Sequence, residues 1–450
     1  MDLYAELLNR VLFPVWEGVV RRRPTVRLQR YLEQTQWRSL DDLEAIQLGS
    51  LRRLLRHAHD HIPFWRARLD EHGLRPESIK DLADLRRLPI LDRATARANT
   101  ETREAKVPPL VAIRKRTSGS SGEPLVFGYD LGSEHWRQAI KLRGYGWAGY
   151  RLGARSVHYW GTLPYPTKFK QAKSKLSRAL KQENYLDCMA RGEADLARVA
   201  DELERYRPEV LICYSQAGAD LARHINARGR RVPPVSVICA AERVLPSDRA
   251  AMVQAFGERI FESYGSREVM LMAHECEAHD GMHVSMENLI VEIIVRDGDS
   301  ERPAKEGETG EVVVTDLHNF AMPFIRYASG DLATARGRAP CSCGRSLLRI
   351  GPIEGRVTEK LVRADGQPVS GLLVEVATAA LGDEVQAYQL VQRKDRSVTI
   401  RLEGSPGPEV GERIRSVISP HLGALPIDVE HVDRIELDRS GKRRIIVVER

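Results

Sequence analysis

The sequence predicts an α/β protein in two parts: a large N-terminal domain with a helical start, and a small C-terminal α+β domain. Three observations carry this reading. From about residue 110 to 350, short β-branched or aliphatic runs (VLICY, VSVICA, RIFESY, IVEIIV, GEVVVT) alternate with helical segments such as 193–206 and 246–256. Such alternation argues for at least partly parallel strands. Residues 1 to about 98 read as helical, and after Gly355 a compact unit of about 95 residues carries its own helices and strands.

In order along the chain, Leu7, Leu8, Val11, Leu12, Val15, Val19 and Val20 recur at helical spacing, with Pro14 as a kink and Arg21–Arg23 behind them. This helix either packs on its own domain or lies on a membrane surface as an amphipathic anchor. A second helical stretch, SLRRLLRHAHDHIPFWRARLDEHG, ends at Gly73 as at a C-cap. KFKQAKSKLSRALK (168–181) reads as a basic helix that is either a solvated face or a partner for phosphates or anionic lipid. In the tail, LLVEVATAALG reads as a helix and AYQLVQRKDRSVTIRLEG as a strand pair. GERIRSVISPHLG follows as a helix, and IDVEHVDRIEL and RRIIVVER as strands.

Composition sets the outer bounds. The 450 residues suit two to four domains, and 42% apolar with 29% charged residues is ordinary globular composition. Lys+Arg 69 against Asp+Glu 62 leaves a formal charge of +7, which suits an anionic small molecule such as a nucleotide. No basic motif interleaved with aromatics supports nucleic-acid binding. No run approaches the roughly 18–20 apolar residues of a membrane span. Asp2 and Glu6 stand where a signal peptide would be positive. Six cysteines are too few for a disulfide scaffold, so a reducing cytoplasm is expected.

Two clusters carry chemistry. Thr117, Ser118, Gly119, Ser120, Ser121 and Gly122, followed by Glu123 and Pro124, form a loop rich in hydroxyls and backbone N–H groups that can wrap polyphosphate oxygens. The second is HECEAHDGMH (274–283) with CSCGR (341–345): Cys276, Cys341 and Cys343 plus one histidine would make a closed, structural zinc site. His279, at Cys-x-x-His spacing, and His283 compete for the fourth position. The site would pin the two loops together beside Asp331 and Glu268, and so behind the site where a nucleotide would sit. Cys188, Cys213 and Cys239 read as inert thiols.

The phosphate loop is followed in order by Ala240-Ala241-Glu242, Tyr264-Gly265-Ser266-Arg267-Glu268, Arg326-Tyr327-Ala328-Ser329-Gly330-Asp331, Gly355-Arg356 and Ser440-Gly441-Lys442. Over about residues 50–450 this order resembles the adenylate-forming superfamily of acyl-CoA synthetases and related ligases. HAHDHIPFWRARL, the Gly366 turn and the terminal SGKRR look most like its phenylacetate–CoA ligase type and CapK-like branch. The resemblance implies that 1–354 is the adenylation domain (1–98 mainly helical, 99–354 the α/β core with the zinc site), 355–359 a hinge and 360–450 a small mobile domain. It further implies ATP, Mg²⁺ and CoA as ligands. The 117–122 loop would take the β- and γ-phosphates, Glu268 the Mg²⁺, Tyr264 the adenine and Asp331 the ribose hydroxyls. Glu242, Gly265, Ser266 and Arg356 join the nucleotide site, and Lys442 approaches the α-phosphate as catalytic cation. Zinc-bearing members favour His283.

Two positions depart from the family pattern: Arg267 replaces the usual threonine before the metal glutamate, and Glu359 the usual aspartate at the hinge. The implied reaction is activation of a carboxylate to an acyl-adenylate and transfer to a thiol, with CoA as the expected acceptor. Alternatives are a CapK-like ligase or transferase forming an amide, ester or AMP product, and a degenerate nucleotide-binding homologue.

Overall fold

The computed structural model describes residues 3–449 except 107–109, 117–124, 162–167, 298–299, 357–360, 365–368, 370–376, 378–384, 386, 405–406 and 438–442. The phosphate loop Thr117–Gly122, the hinge residue Glu359 and Lys442 therefore lie outside the described residues, as does all of the LLVEVATAALG helix but Ala377.

A β-hairpin of β1 (Ile113–Arg116) and β2 (Val126–Tyr129) precedes one large mixed sheet. The next strands are β3 (Ser156–Trp160), β4 (Glu183–Asp187), β5 (Val210–Tyr214), β6 (Ser236–Ala240) and β7 (Ile260–Ser266). They pair parallel in the order β4-β3-β5-β6-β7. Helices Lys168–Leu180, Glu193–Tyr206, Ser215–Ala227 and Pro246–Phe256 make the crossovers. The hydrophobic runs are continuous here because both faces of a parallel sheet are covered. Val157, Leu211, Val237, Cys213 and Cys239 share a core with Leu196, Leu203, Leu221 and Phe256 of those helices.

Beyond β7 the sheet turns antiparallel. Its members are β8 (Met270–Glu275), β9 (Met282–Val284), β10 (Leu289–Asp297), β11 (Ser300–Pro303), β12 (Thr309–Asp316), β13 (Tyr327–Ala335) and β14 (Arg349–Arg356). Across the sheet they run β7-β8-β9-β14-β13-β12-β10-β11. The helical start packs on this half: Leu51, Leu54, Leu55, Ala58 and Trp65 share a core with Leu289, Val312, Phe324 and Tyr327. The helix expected to run unbroken to Gly73 is two helices, Leu40–His61 and Pro63–Glu71. Pro63 supplies no N–H to continue the first but is suited to start the second, so Ile62 becomes extended between them. Gly73 is left-handed, with φ +57°, as its C-cap reading requires.

Residues 3–20 are helical, with wide π-type turns at Leu8–Leu12 and Trp16–Val20 on either side of Pro14. Such turns reroute the hydrogen bond that proline cannot donate. The tail forms a second sheet in the order β17 (Ile427–Val432), β16 (Val398–Glu403), β15 (Tyr388–Gln392) and β18 (Ile446–Val448). Helix Pro408–Leu422 packs Val410, Ile414 and Ile418 on it.

Candidate active site

The parallel strands end where the predicted nucleotide residues begin. In open α/β sheets, ligands bind beyond the carboxyl ends of the strands. Ala240 closes β6, and Ala241 turns the chain with a left-handed φ of +72°. The next residue, Glu242, accepts from the Gln216 backbone N–H at 3.2 Å, while its own carbonyl accepts from Ser215 Oγ at 2.8 Å. Glu242 thus ties the β6 turn to the start of helix Ser215–Ala227.

Tyr264 and Gly265 lie near the end of β7. A bulge between them lets Gly265 pair with Leu271 of β8, and a Cβ on Gly265 would come within 2.1 Å of the Met270 carbonyl oxygen. Only glycine fits that position. The buried Tyr264 hydroxyl donates to Asp331 Oδ2 at 3.0 Å. Burial and then the Asp331 carboxylate push its pKa well up, so it stays a donor. Arg356 faces Asp331 across β13 and β14, with Nε 3.4 Å from Oδ1. Ser329 Oγ accepts from the Asp331 backbone N–H at 3.1 Å. Four predicted residues from three strands therefore converge: Tyr264, Gly265, Asp331 and Arg356. Gly355, with φ +108°, follows the same edge to the expected hinge.

Glu268 is nearly buried in the turn after β7, with Arg93 Nη1 3.7 Å from its carboxylate. Its carbonyl accepts from Arg137 Nη2 at 2.6 Å, and Arg137 also pairs with buried Asp316 at 2.9 Å. Sequence reasoning missed Arg93, Arg137 and Asp316. Arg137 left one signal: a cation on the inner side of a helix needs a buried partner. Ser266 sits at the end of β7, opposite Met270. Arg267 donates to the Arg116 carbonyl at 3.1 Å, so the residue that departs from the family pattern holds the end of β1, just before the phosphate loop.

Arg326, read as part of the Asp331 motif, has another task. It is fully buried with φ +47°, and its guanidinium pairs with Glu292 at 3.1 Å and Glu301 at 2.5 Å and donates to the Leu88 carbonyl at 2.6 Å. It clamps the helical start to the antiparallel half of the sheet.

The ligand atoms of Cys276, His283, Cys341 and Cys343 all lie within 4.8 Å of one another. Cys276 Sγ is 3.7 Å from Cys341 Sγ, and Cys343 Sγ is 3.3 Å from His283 Nε2. Zinc at about 2.3 Å from each sulfur gives tetrahedral edges of about 3.8 Å, so the donor set fits that ion. His283 is in β9 and its Nδ1 contacts the Leu347 carbonyl at 3.0 Å, which turns Nε2 toward the cysteines. Burial pushes its pKa down to about 4, leaving a neutral ring. Burial pushes the Cys276 thiol up to about 12, so it ionises readily only beside a cation. His279 lies apart: its Nδ1 faces the Glu275 carboxylate at 3.4 Å and its ring packs on Phe261.

The two loops meet as expected, but not beside Glu268 and Asp331. Cys276 follows the far end of β8 from Glu268, and Arg349, paired with His283, is at the far end of β14 from Arg356. Six to eight strand residues at roughly 3.3 Å each put about 20 Å between the sites.

No family model matches the chain. A phenylacetate–coenzyme A ligase of Thermus thermophilus is 28% identical over 362 residues, covering 79% of each chain. Protein CapK of Staphylococcus aureus is 22% identical over 428 residues, 93% of this chain and 92% of that one. Among solved structures, 2-hydroxyisobutyryl-CoA ligase in its postadenylation state superposes with a TM-score of 0.72 at 20% identity, covering 93% and 92%. The same ligase in its thioesterification state gives 0.56 at 18% identity, covering 92% of each chain. The fold is that of the adenylate-forming ligases, and the chain's curated relatives carry the phenylacetate–CoA ligase and CapK names.

Proposed function

We propose that the chain is an ATP-dependent ligase that activates a carboxylic acid as an acyl-adenylate and passes the acyl group to CoA. The observation that carries this is the Tyr264–Asp331–Arg356 cluster at the carboxyl end of the parallel strands, in a chain related to phenylacetate–CoA ligases. An acid oxygen attacks the α-phosphorus of ATP and pyrophosphate leaves. A thiol then attacks the acyl carbon and AMP leaves.

In this reading Asp331 accepts the two ribose hydroxyls while Tyr264 and Arg356 fix its carboxylate. Tyr264 packs near the adenine, and Glu242, Gly265 and Ser266 shape the surrounding turns. Thr117–Gly122 hold the outer phosphates, with β1 anchored by Arg267. Glu268 would hold Mg²⁺, a hard cation that needs few protein oxygens when phosphates supply the rest. Cys276, His283, Cys341 and Cys343 would hold a structural zinc ion. The tail, 360–450, turns about 355–359 between the half-reactions; the higher TM-score against the postadenylation state than against the thioesterification state supports an arrangement like the former. Six free thiols suit a cytoplasmic enzyme.

The test is pyrophosphate release screened over aryl, fatty and amino acids, with and without CoA. Release with at least one acid is expected, and AMP plus an acyl-CoA should appear only when CoA is present. Adenylation without thioester formation would favour the CapK relationship and an amine or hydroxyl acceptor. The absence of release, together with no ATP-dependent thermal shift at millimolar nucleotide, would reject the enzyme.

Asp331→Ala is expected to weaken ATP binding by roughly ten- to a hundredfold, the range for a lost hydrogen bond to a charged group (about 1.5–3 kcal/mol). Calorimetric titration measures it, and an unchanged melting temperature without nucleotide shows that β13 and β14 still pair. Wild-type affinity in the variant would remove Asp331 from the nucleotide site.

A further inference from the structure

The helix formed by residues 3–20 touches its domain along a narrow line. Ala5 is buried, and Ala5 and Leu8 cross Gly153 so closely that a Cβ there would lie 2.9 Å from Leu8 Cδ2. Further along, Glu17 is buried and accepts from Thr25 Oγ1 at 3.3 Å, beside a cavity of about 400 Å³ also lined by Phe13, Arg23, Lys141 and Glu183. The opposite side is apolar and open: Leu7 is 49% exposed, Val11 48%, Val15 48%, Trp16 50% and Val19 69%. An apolar stripe of this length is not accounted for by scattered surface residues.

Two further observations choose an occupant. Arg21 and Arg22 are exposed at the end of the stripe, and the Arg21 guanidinium sits 5.2 Å over the Trp16 ring; Arg23 turns back to Glu17, 3.6 Å away. The basic helix Lys168–Leu180 joins the other end, where the Tyr4 hydroxyl donates to the Leu180 carbonyl at 2.6 Å. That helix presents Leu176 (63% exposed) and Leu180 (53%) among exposed Lys173 and Lys175, with Lys181 next in sequence. Apolar side chains and a tryptophan bordered by lysine and arginine form the pattern that seats a helix at the headgroup level of an anionic bilayer. A two-fold pairing of copies through this face would instead bring like basic clusters together.

We propose that helices 3–20 and 168–180 form one surface that binds anionic lipid bilayers peripherally. No helix among the described residues is long and apolar enough to cross the membrane, so the contact is a reversible docking. Apolar insertion and attraction to anionic headgroups act together, and the second falls with salt.

The experiment is co-sedimentation of the full chain with vesicles of phosphatidylcholine alone and of phosphatidylcholine with phosphatidylglycerol in equal parts. Binding is expected to be roughly tenfold or more tighter to the anionic vesicles and to be released by high salt. Val15→Glu with Val19→Glu, and separately Lys173→Glu with Lys175→Glu, should each reduce that binding by about tenfold or more, with the ATP-dependent thermal shift unchanged. These residues are exposed, so the variants retain the fold. Equal binding to both vesicle types, or wild-type binding by either variant, would overturn the proposal. So would a dimer in solution, seen by light scattering, that Val15→Glu with Val19→Glu dissociates, because a second copy would then cover this face.

Discussion

Cys341→Ser protein is expected to lose its zinc and about 4 kcal/mol of stability. That is the contribution of an ion held at a thousandfold above its Kd. For a domain of this size it corresponds to a fall in melting temperature of about 5 °C. The cost arises because Cys341 joins loop 341–345 to Cys276 and His283, and without the ion buried Cys276 and His283 and half-buried Cys343 face one another uncompensated. Metal analysis of chelator-washed wild-type protein should give about one zinc per chain. The ring of Trp147 lies 5.6 Å from that of His283, so metal removal should also change tryptophan fluorescence. His279→Ala should keep its zinc. ATP affinity measured below the melting temperature should hold in Cys341→Ser, because roughly 20 Å of strand separates the two sites. Full zinc and full stability in Cys341→Ser would reject the metal site.

That separation shows where sequence reading reaches and where it stops. The strands of the large sheet were legible because a buried parallel strand needs an unbroken apolar run, and VLICY or VSVICA leave no helical alternative of adequate length. The cysteine cluster was legible because closely spaced thiols beside histidines have few structural reasons to recur. Its position was not: Glu268 and Cys276 are eight residues apart in sequence, and the extended run of β8 between them carries them to opposite ends of that strand. Spacing alone left His279 and His283 open; β9 separates them by holding His283 opposite His274 and Arg349. Arg326 misled for a related reason. Its motif neighbours Asp331 and Tyr327 are in β13, but the left-handed turn at Arg326 sends its side chain to Glu292, Glu301 and the Leu88 carbonyl. Pro63 was the neglected signal, since a proline ends one helix at the residue before it however regular the leucine spacing. The choice between a packed and an exposed face for helix 3–20 stayed open, because the same periodicity describes a helix against a core and a helix against a bilayer.

Lys442→Ala is expected to lower the adenylation rate by roughly a hundredfold or more, while ATP affinity changes little. As pyrophosphate leaves, negative charge builds on the oxygens around the α-phosphorus, and a cation placed there in a water-poor cleft offsets it by a few kcal/mol. An interaction made chiefly in the transition state appears in the rate rather than in binding. Arg443 reaches Asp220 of helix Ser215–Ala227, with nitrogens 3.3 and 3.4 Å from its carboxylate oxygens, and Arg191 shares Asp220 at 3.2 Å. That helix begins where Gln216 holds Glu242, so the ion pair docks the end of the tail on the element bordering the nucleotide residues. Single-turnover measurement of pyrophosphate release reads the first half-reaction. Supplying preformed acyl-adenylate with CoA reads the second, which should largely survive, because rotation about 355–359 would by then have withdrawn Lys442. Equal damage to both half-reactions would assign the effect to a disrupted tail, with Arg443 no longer seated on Asp220. An undiminished first half-reaction would make Lys442 an ordinary surface lysine and leave the developing charge to other cations at the site, such as Arg356 beside Asp331.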